Sequence, residues 1–238
     1  MENIINISNL KKTFDNTTII NNVSFQVKQG EIIGLLGSNG AGKTTFLKLI
    51  SGLLKVDNGE ITILGKNPWY ERDKILTNIG IMIEQPVFYE HLTAFENIQI
   101  HLEYMNIKND IKNILNLVGL EIDNKPISKF SLGMKQKLAI ARAISHNPKI
   151  LLLDEPINGL DPISILEFRK LLKFLKEKNT TIILSSHILN ELFETVENIV
   201  VLSNGNLENL GKLSILKQKY ENKLENYLIE KMRGIKND

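Results

Sequence analysis

Short apolar runs alternate along the chain with segments of helical periodicity, and the two patterns change places several times. Ile4 to Leu10, Ile19 to Val27 and Glu31 to Leu36 are rich in Ile and Val and are separated by Asp15-Asn16 and Gln29-Gly30, so each reads as a strand closed by a turn. A helix is predicted from Lys43 to Ile50, ended by Ser51-Gly52, with Gly52 suited to the left-handed position after a helix. Gly59 to Leu64 and Ile79 to Ile83 are again of strand length. From Pro86 to about Ser145 the pattern turns helical. Thr93-Ala94-Phe95-Glu96 fits a capping box, and Phe95, Ile98, Leu102 and Met105 recur at helix spacing. A second helix is predicted over Ile111 to Val118. Beyond Pro148 strands and helices alternate. Ile150 to Leu153, Thr181 to Leu184 and Ile199 to Leu202 are strands; Pro162 to Lys178 and Ile188 to Val196 are helices, the first with proline in its first turn. Leu213 to Arg233 reads as a terminal helix. Alternating strands and helices imply a parallel sheet, which the helical stretch interrupts as an insertion.

Composition narrows the function classes. The 238 residues are 42% hydrophobic, and 29 basic against 27 acidic residues leave a net charge of +2. That balance argues against nucleic acid as a partner, since phosphate-backbone binding needs a basic excess. With no cysteine, disulfide scaffolds, thiol catalysis and Cys-ligated metals are excluded. The first residues lack the pattern of a secretory signal, and no apolar stretch approaches the ~18–20 residues that cross a bilayer.

Gly37-Ser38-Asn39-Gly40-Ala41-Gly42-Lys43-Thr44 fits G-x-x-x-x-G-K-[ST] without a mismatch and lies between an apolar strand and a helix. Glycines let backbone N–H groups turn inward as an anion cradle, and the helix adds its positive end. Ser38, Asn39, Gly40, Ala41, Gly42, Lys43, Thr44 and Thr45 are therefore the candidate phosphate-binding residues. Lys43 would bridge the β- and γ-phosphates and Thr44 would ligate Mg²⁺. Ile150 to Leu153 runs into Asp154 and Glu155. In a parallel sheet, ligands bind at the carboxyl ends of the strands. Asp154 is thus a candidate Mg²⁺ ligand and Glu155 a candidate general base for the attacking water.

Together with these motifs, Phe130-Ser131-Leu132-Gly133-Met134-Lys135-Gln136 resembles the signature segment of the ATP-binding subunits of ABC transporters, and the resemblance extends over essentially the full chain. Leu132 and Met134 depart from its usual LSGGQ form. The resemblance implies an α/β P-loop NTPase with a mainly parallel central sheet, an N-terminal antiparallel β-subdomain and an inserted α-helical subdomain. It implies a core at residues 1–85 and 147–211, an insertion at 86–146 and a tail at 212–238. It implies ATP hydrolysis with Mg²⁺, a second copy whose Ser131 and Gly133 meet the γ-phosphate, separate transmembrane permease subunits, and a place at the cytoplasmic face of the membrane. Asn158-Gly159-Leu160-Asp161-Pro162 resembles the loop that crosses the dimer interface, and it also fits a helix cap. Ser185-Ser186-His187 resembles the switch segment, whose His187 would align the γ-phosphate with Glu155. Phe14 falls where the family stacks an aromatic on adenine; the other reading is a core Phe beside a turn.

Ile79-Gly80-Ile81-Met82-Ile83-Glu84-Gln85-Pro86 departs from the family, which usually has Gln after this strand. The Ile-Gly start aligns Glu84 with that position, as a catalytic residue and Mg²⁺ ligand. A shift of one residue would place Gln85 there, on the opposite face if the segment is extended. Glu84 and the following Pro86 to Asn97 resemble lantibiotic self-protection and bacitracin-resistance exporters. Phe88 and Tyr89 are candidate contacts to a membrane subunit, or else pack within the insertion. An importer ATPase and a non-transport ABC ATPase are the competing readings.

Overall fold

A computed structural model describes residues 2–188 and 193–234. The three segments Asn3–Phe14 (β1), Thr17–Lys28 (β2) and Asn58–Ile63 (β4) form an antiparallel sheet in the order β2-β1-β4. The main sheet holds Ile32–Leu36 (β3), Ile79–Met82 (β5), Ile150–Leu153 (β6), Thr181–Ser186 (β7), Asn198–Ser203 (β8) and Asn206–Lys212 (β9), in the order β5-β6-β7-β3-β8-β9. All its pairings are parallel except β8 with β9.

The unbroken apolar strands are explained by what lies on their two faces. Side chains alternate across a strand. In β6, Ile150 and Leu152 join a core shared with the antiparallel sheet, while Leu151 and Leu153 join a core shared with helices. In β3, Ile33 and Leu35 face the first core and Ile32 and Leu36 the second. A strand covered on both sides has no position for a polar residue, so the period-two signal vanishes.

The helices are Lys43–Ile50 (α1), Arg72–Ile75 (α2), Ala94–Tyr104 (α3), Ile111–Leu117 (α4), Leu132–Ile144 (α5), Pro162–Glu177 (α6), Leu213–Tyr220 (α7) and Leu224–Met232 (α8). The capping box at Thr93 and Glu96 is formed, and Asp161 caps α6 by accepting from the Ser164 N–H at 2.9 Å. The expected single terminal helix is two helices, because Glu221 adopts a left-handed φ of 45° at their junction. The expected strand at Ile4 to Leu10 extends from Asn3 to Phe14. The helix expected at Ile188 to Val196 includes residues 189–192, which lie outside those described; residues 193–195 form a turn. Among the described residues, no helix is long and apolar enough to cross a membrane.

Candidate active site

Strands β3, β6 and β7 are adjacent, so their carboxyl ends lie side by side, and the chemistry-bearing residues leave from those ends. After β3 the chain enters the glycine-rich loop. Gly42 takes φ 98° at the start of α1, and a Cβ there would stand 2.8 Å from Ile19 Cγ2, so only glycine turns the chain against β2. Ser38, Asn39 and Gly40 are exposed, Ala41 and Thr45 half-buried. Lys43 is buried, and its ammonium donates to the carbonyls of Gly37 at 2.8 Å and Ser38 at 3.3 Å.

Asp154 is buried at the end of β6 and accepts two hydrogen bonds. The Thr44 hydroxyl donates to Oδ2 at 2.6 Å and the Ser185 hydroxyl to Oδ1 at 2.6 Å. Ser185 Oγ also accepts from the Glu155 N–H at 3.0 Å, so one buried hydroxyl fixes both acidic residues. Glu155 has a left-handed φ of 48°, a conformation costly for a residue with a side chain and found where function demands it. Its carboxylate is shared: Oε1 lies 3.3 Å from Lys43 Nζ and Oε2 lies 2.9 Å from His187 Nδ1. From behind, Gln136 Nε2 on α5 donates to the carbonyls of Glu155 at 3.3 Å and Pro156 at 2.9 Å. Lys43, Thr44, Asp154, Glu155 and His187 thus form one connected cluster. Neither Ser185 nor Gln136 stands out in the sequence as a functional residue. Nothing in their spacing reveals that β7 and α5 lie against the end of β6.

The arrangement has the elements of a hydrolytic site: an anion cradle, a buried ammonium, a carboxylate oxygen and hydroxyl suited to a hard divalent cation, and a second carboxylate beside an imidazole. Thr44 and Asp154 supply the oxygen chemistry Mg²⁺ takes. Among the described residues no group of three His, Asp or Glu forms a complete metal cage.

Glu84 and Gln85 both line a cavity of about 750 Å³ together with Thr44, Phe88, Asp154 and Glu155. The expected choice between opposite faces does not arise, because β5 ends at Met82 and Glu84 has a left-handed φ of 62°, so strand alternation no longer applies. The Glu84 carboxylate lies 2.6 Å from the ammonium of Lys48 on α1.

Ser131 caps α5 by accepting from the Met134 N–H at 3.2 Å. Gly133 sits close over the loop before α6: a Cβ there would stand 3.0 Å from the Gly159 carbonyl oxygen. Among the described residues, no hydrogen bond joins Ser131 or Gly133 to the glycine-rich loop of the same chain. Phe14 ends β1 43% exposed with Lys12 Nζ 5.1 Å from its ring centroid, which removes the core reading. Phe88 is half-buried under the Arg142 guanidinium, 4.8 Å from its ring, whereas Tyr89 is 49% exposed, so the two candidate contacts separate. Arg142 Nη1 also donates to the Val87 carbonyl at 2.8 Å, and Lys135 pairs with Glu90 at 2.7 Å, tying this loop to α5.

Comparison with known proteins gives the same direction. Residues 20–158 match the ABC transporter family. The chain is 47% identical to the ABC transporter ATP-binding protein YcbN of Bacillus subtilis, with 87% of this chain and 69% of that protein covered. It is 42% identical to the bacitracin transport ATP-binding protein BcrA of Bacillus licheniformis, covering 99% and 78%, and 43% identical to the lantibiotic transport ATP-binding protein SrtF of Streptococcus pyogenes, covering 79% and 82%. Among solved structures, the ATP-binding subunit of an ABC transporter superposes with a TM-score of 0.84 at 28% identity, covering 95% of this chain and 99% of that one. A dimeric ATP-binding cassette in a post-hydrolysis state, bound to ADP and phosphate, superposes with a TM-score of 0.80 at 28% identity, covering 88% and 98%.

Proposed function

The chain belongs to the ABC transporter ATP-binding family, and from that premise we propose that it hydrolyses ATP to drive export of a peptide antibiotic through separate membrane subunits. The observation that carries the catalytic reading is the Glu155 carboxylate, poised between Lys43 and His187 at the end of a buried strand. Lys43 turns from the loop carbonyls to the β- and γ-phosphates. Thr44 and Asp154 would hold Mg²⁺, which when bound would neutralise phosphate charge. Glu155 accepts the proton of the attacking water, and His187 orients it against the γ-phosphate. Phe14 supplies a face for adenine.

Two copies sandwich ATP between the glycine-rich loop of one and the Ser131–Gly133 helix start of the other, as the dimeric cassette relative supports. Residues 86–146 act as the partner-facing insertion on a core of 1–85 and 147–211, with 212–238 as a tail. The protein sits at the cytoplasmic face of the membrane, held by its permease. Peptide antibiotics are the substrate class because the relatives named for bacitracin and lantibiotic transport align across most of the chain.

Glu155→Gln tests the chemistry. A general base contributes about 10²–10⁴ in rate, so this variant is expected to bind ATP, lose at least about 100-fold in turnover, and accumulate as an ATP-bound dimer. Wild-type turnover would sink the base assignment. Expression with its membrane subunits in a sensitive host is expected to raise tolerance to bacitracin-type or lantibiotic peptides; unchanged tolerance to both would remove the substrate class.

A further inference from the structure

Thr44 and Lys48 stand four residues apart on α1 and therefore share one face of the helix, about 5–6 Å apart at Cβ. Thr44 donates to Asp154 at 2.6 Å, whereas Lys48 holds Glu84 at 2.6 Å. The Lys48 that holds the carboxylate differing from the family's usual Gln thus stands one helical turn from Thr44, and Glu84 lines the same cavity as Thr44 and Asp154. Its holder is well placed. Lys48 lies in the last turn of α1, where the helix dipole favours a positive charge.

We propose that Lys48 is a positioning residue that restrains Glu84 away from the Thr44–Asp154 oxygens and yields it when a divalent cation arrives with nucleotide. This deepens, and rests on, the ATPase reading above. Three features support it. First, the cavity already holds Asp154 and Glu155, together with Glu90 paired to Lys135, so an unrestrained Glu84 would add a further negative charge beside them. Lys48 removes that repulsion in the resting state. Second, the side chains of Lys48 and Glu84 are 29% and 60% exposed, and so exposed a pair is worth little and breaks readily. A pair meant to lock the loop permanently would be buried. Third, Glu84 is the only residue between β5 and Pro86 with a left-handed φ, so a change at this one backbone position redirects the carboxylate. A doubly charged cation then outcompetes the single charge of the ammonium.

The test is the affinity of the purified protein for the non-hydrolysable analogue AMP-PNP, measured by calorimetry with Mg²⁺ and again in EDTA. Lys48→Met is expected to tighten binding in Mg²⁺ by up to about five-fold, the worth of an exposed ion pair, and not to tighten it in EDTA, where the freed carboxylate only adds repulsion. Lys48→Arg keeps the charge and is expected to behave as wild type. In a Glu84→Gln background, Lys48→Met is expected to have no effect. An equal change with and without Mg²⁺ marks a merely structural role and overturns the proposal, as does no change in Mg²⁺ or an effect that survives Glu84→Gln. Lys48→Gln carries the same comparison if Lys48→Met does not fold. A wild-type protein that binds no AMP-PNP would instead overturn the nucleotide reading itself.

Discussion

Ser185 has no charge and lies within β7, yet its hydroxyl touches both members of the acidic pair, donating to Asp154 and accepting from Glu155. Ser185→Ala leaves a buried carboxylate oxygen and a backbone N–H without this partner, at a cost of about 1–3 kcal/mol. Steady-state kinetics are expected to show kcat reduced about ten-fold or more with a smaller change in KM for ATP, because the acids lose position rather than the cradle losing its donors. An unchanged kcat would mean the bond is incidental. The glycine-rich loop and the Asp154-Glu155 pair were legible because their chemistry is written in adjacent residues. Ser185, Gln136 and Lys48 were not, since each contacts a neighbour at least 19 residues away, 36 for Lys48. Spacing along a chain does not encode which strand ends become neighbours. The same limit governed Glu84 and Gln85, whose faces were argued from an extended segment that a left-handed residue interrupts.

Elements whose signals are local were readable. The capping box at Thr93 and Glu96 and the Asp161-Pro162 start of α6 both form where their residues place them. The edge strand β9 was missed because Asn206–Lys212 carries polar residues at most positions and is set by pairing with β8. One contact between elements predicts a pH response. His101 on α3 lies 3.4 Å from His146, which follows α5 and contacts the Ile79 carbonyl oxygen at 3.1 Å. Burial, with electrostatic repulsion from His146 and Arg142 against a second positive charge adding to it, pushes His101 from its ordinary 6.5 down to about 4. Burial also lowers His146, partly opposed by its bond to Ile79. Both rings stay neutral in the folded chain and protonate first when it unfolds. Stability is therefore full above pH 6.5 and falls as the pH drops from there toward 4. Allowing for the partial exposure of His101, the loss is about 1 kcal/mol, or about 2–4 °C in melting temperature for a domain of this size. His101→Gln is expected to flatten that dependence in a thermal melt series; an unaltered slope would remove the pair as its source.

At the scale of the molecule, the α5 start is anchored to its own chain through Gly133 over Gly159 and through Gln136 beneath Glu155, and among the described residues its cap makes no hydrogen bond to its own glycine-rich loop. The proposed sandwich of two copies, with the site completed in trans, would account for that separation. Gly133→Asp, placed in the Glu155→Gln protein, is expected to abolish the ATP-dependent dimer in light scattering while ATP affinity of the monomer stays within about three-fold. A persistent dimer would refute the shared site. The resting contacts of Lys43 carry one last consequence. Its ammonium already serves two loop carbonyls and Glu155, and Glu155 already serves His187. Phosphate must therefore displace an existing internal ligand rather than fill a vacancy. On the proposed reading, measured nucleotide affinity is then the remainder of a competition, and a substitution that weakens the internal ligand, such as Glu155→Gln, is expected to tighten nucleotide binding by the same act that slows its hydrolysis. Tight binding in such a variant reports the removal of a competitor as much as the arrest of a reaction.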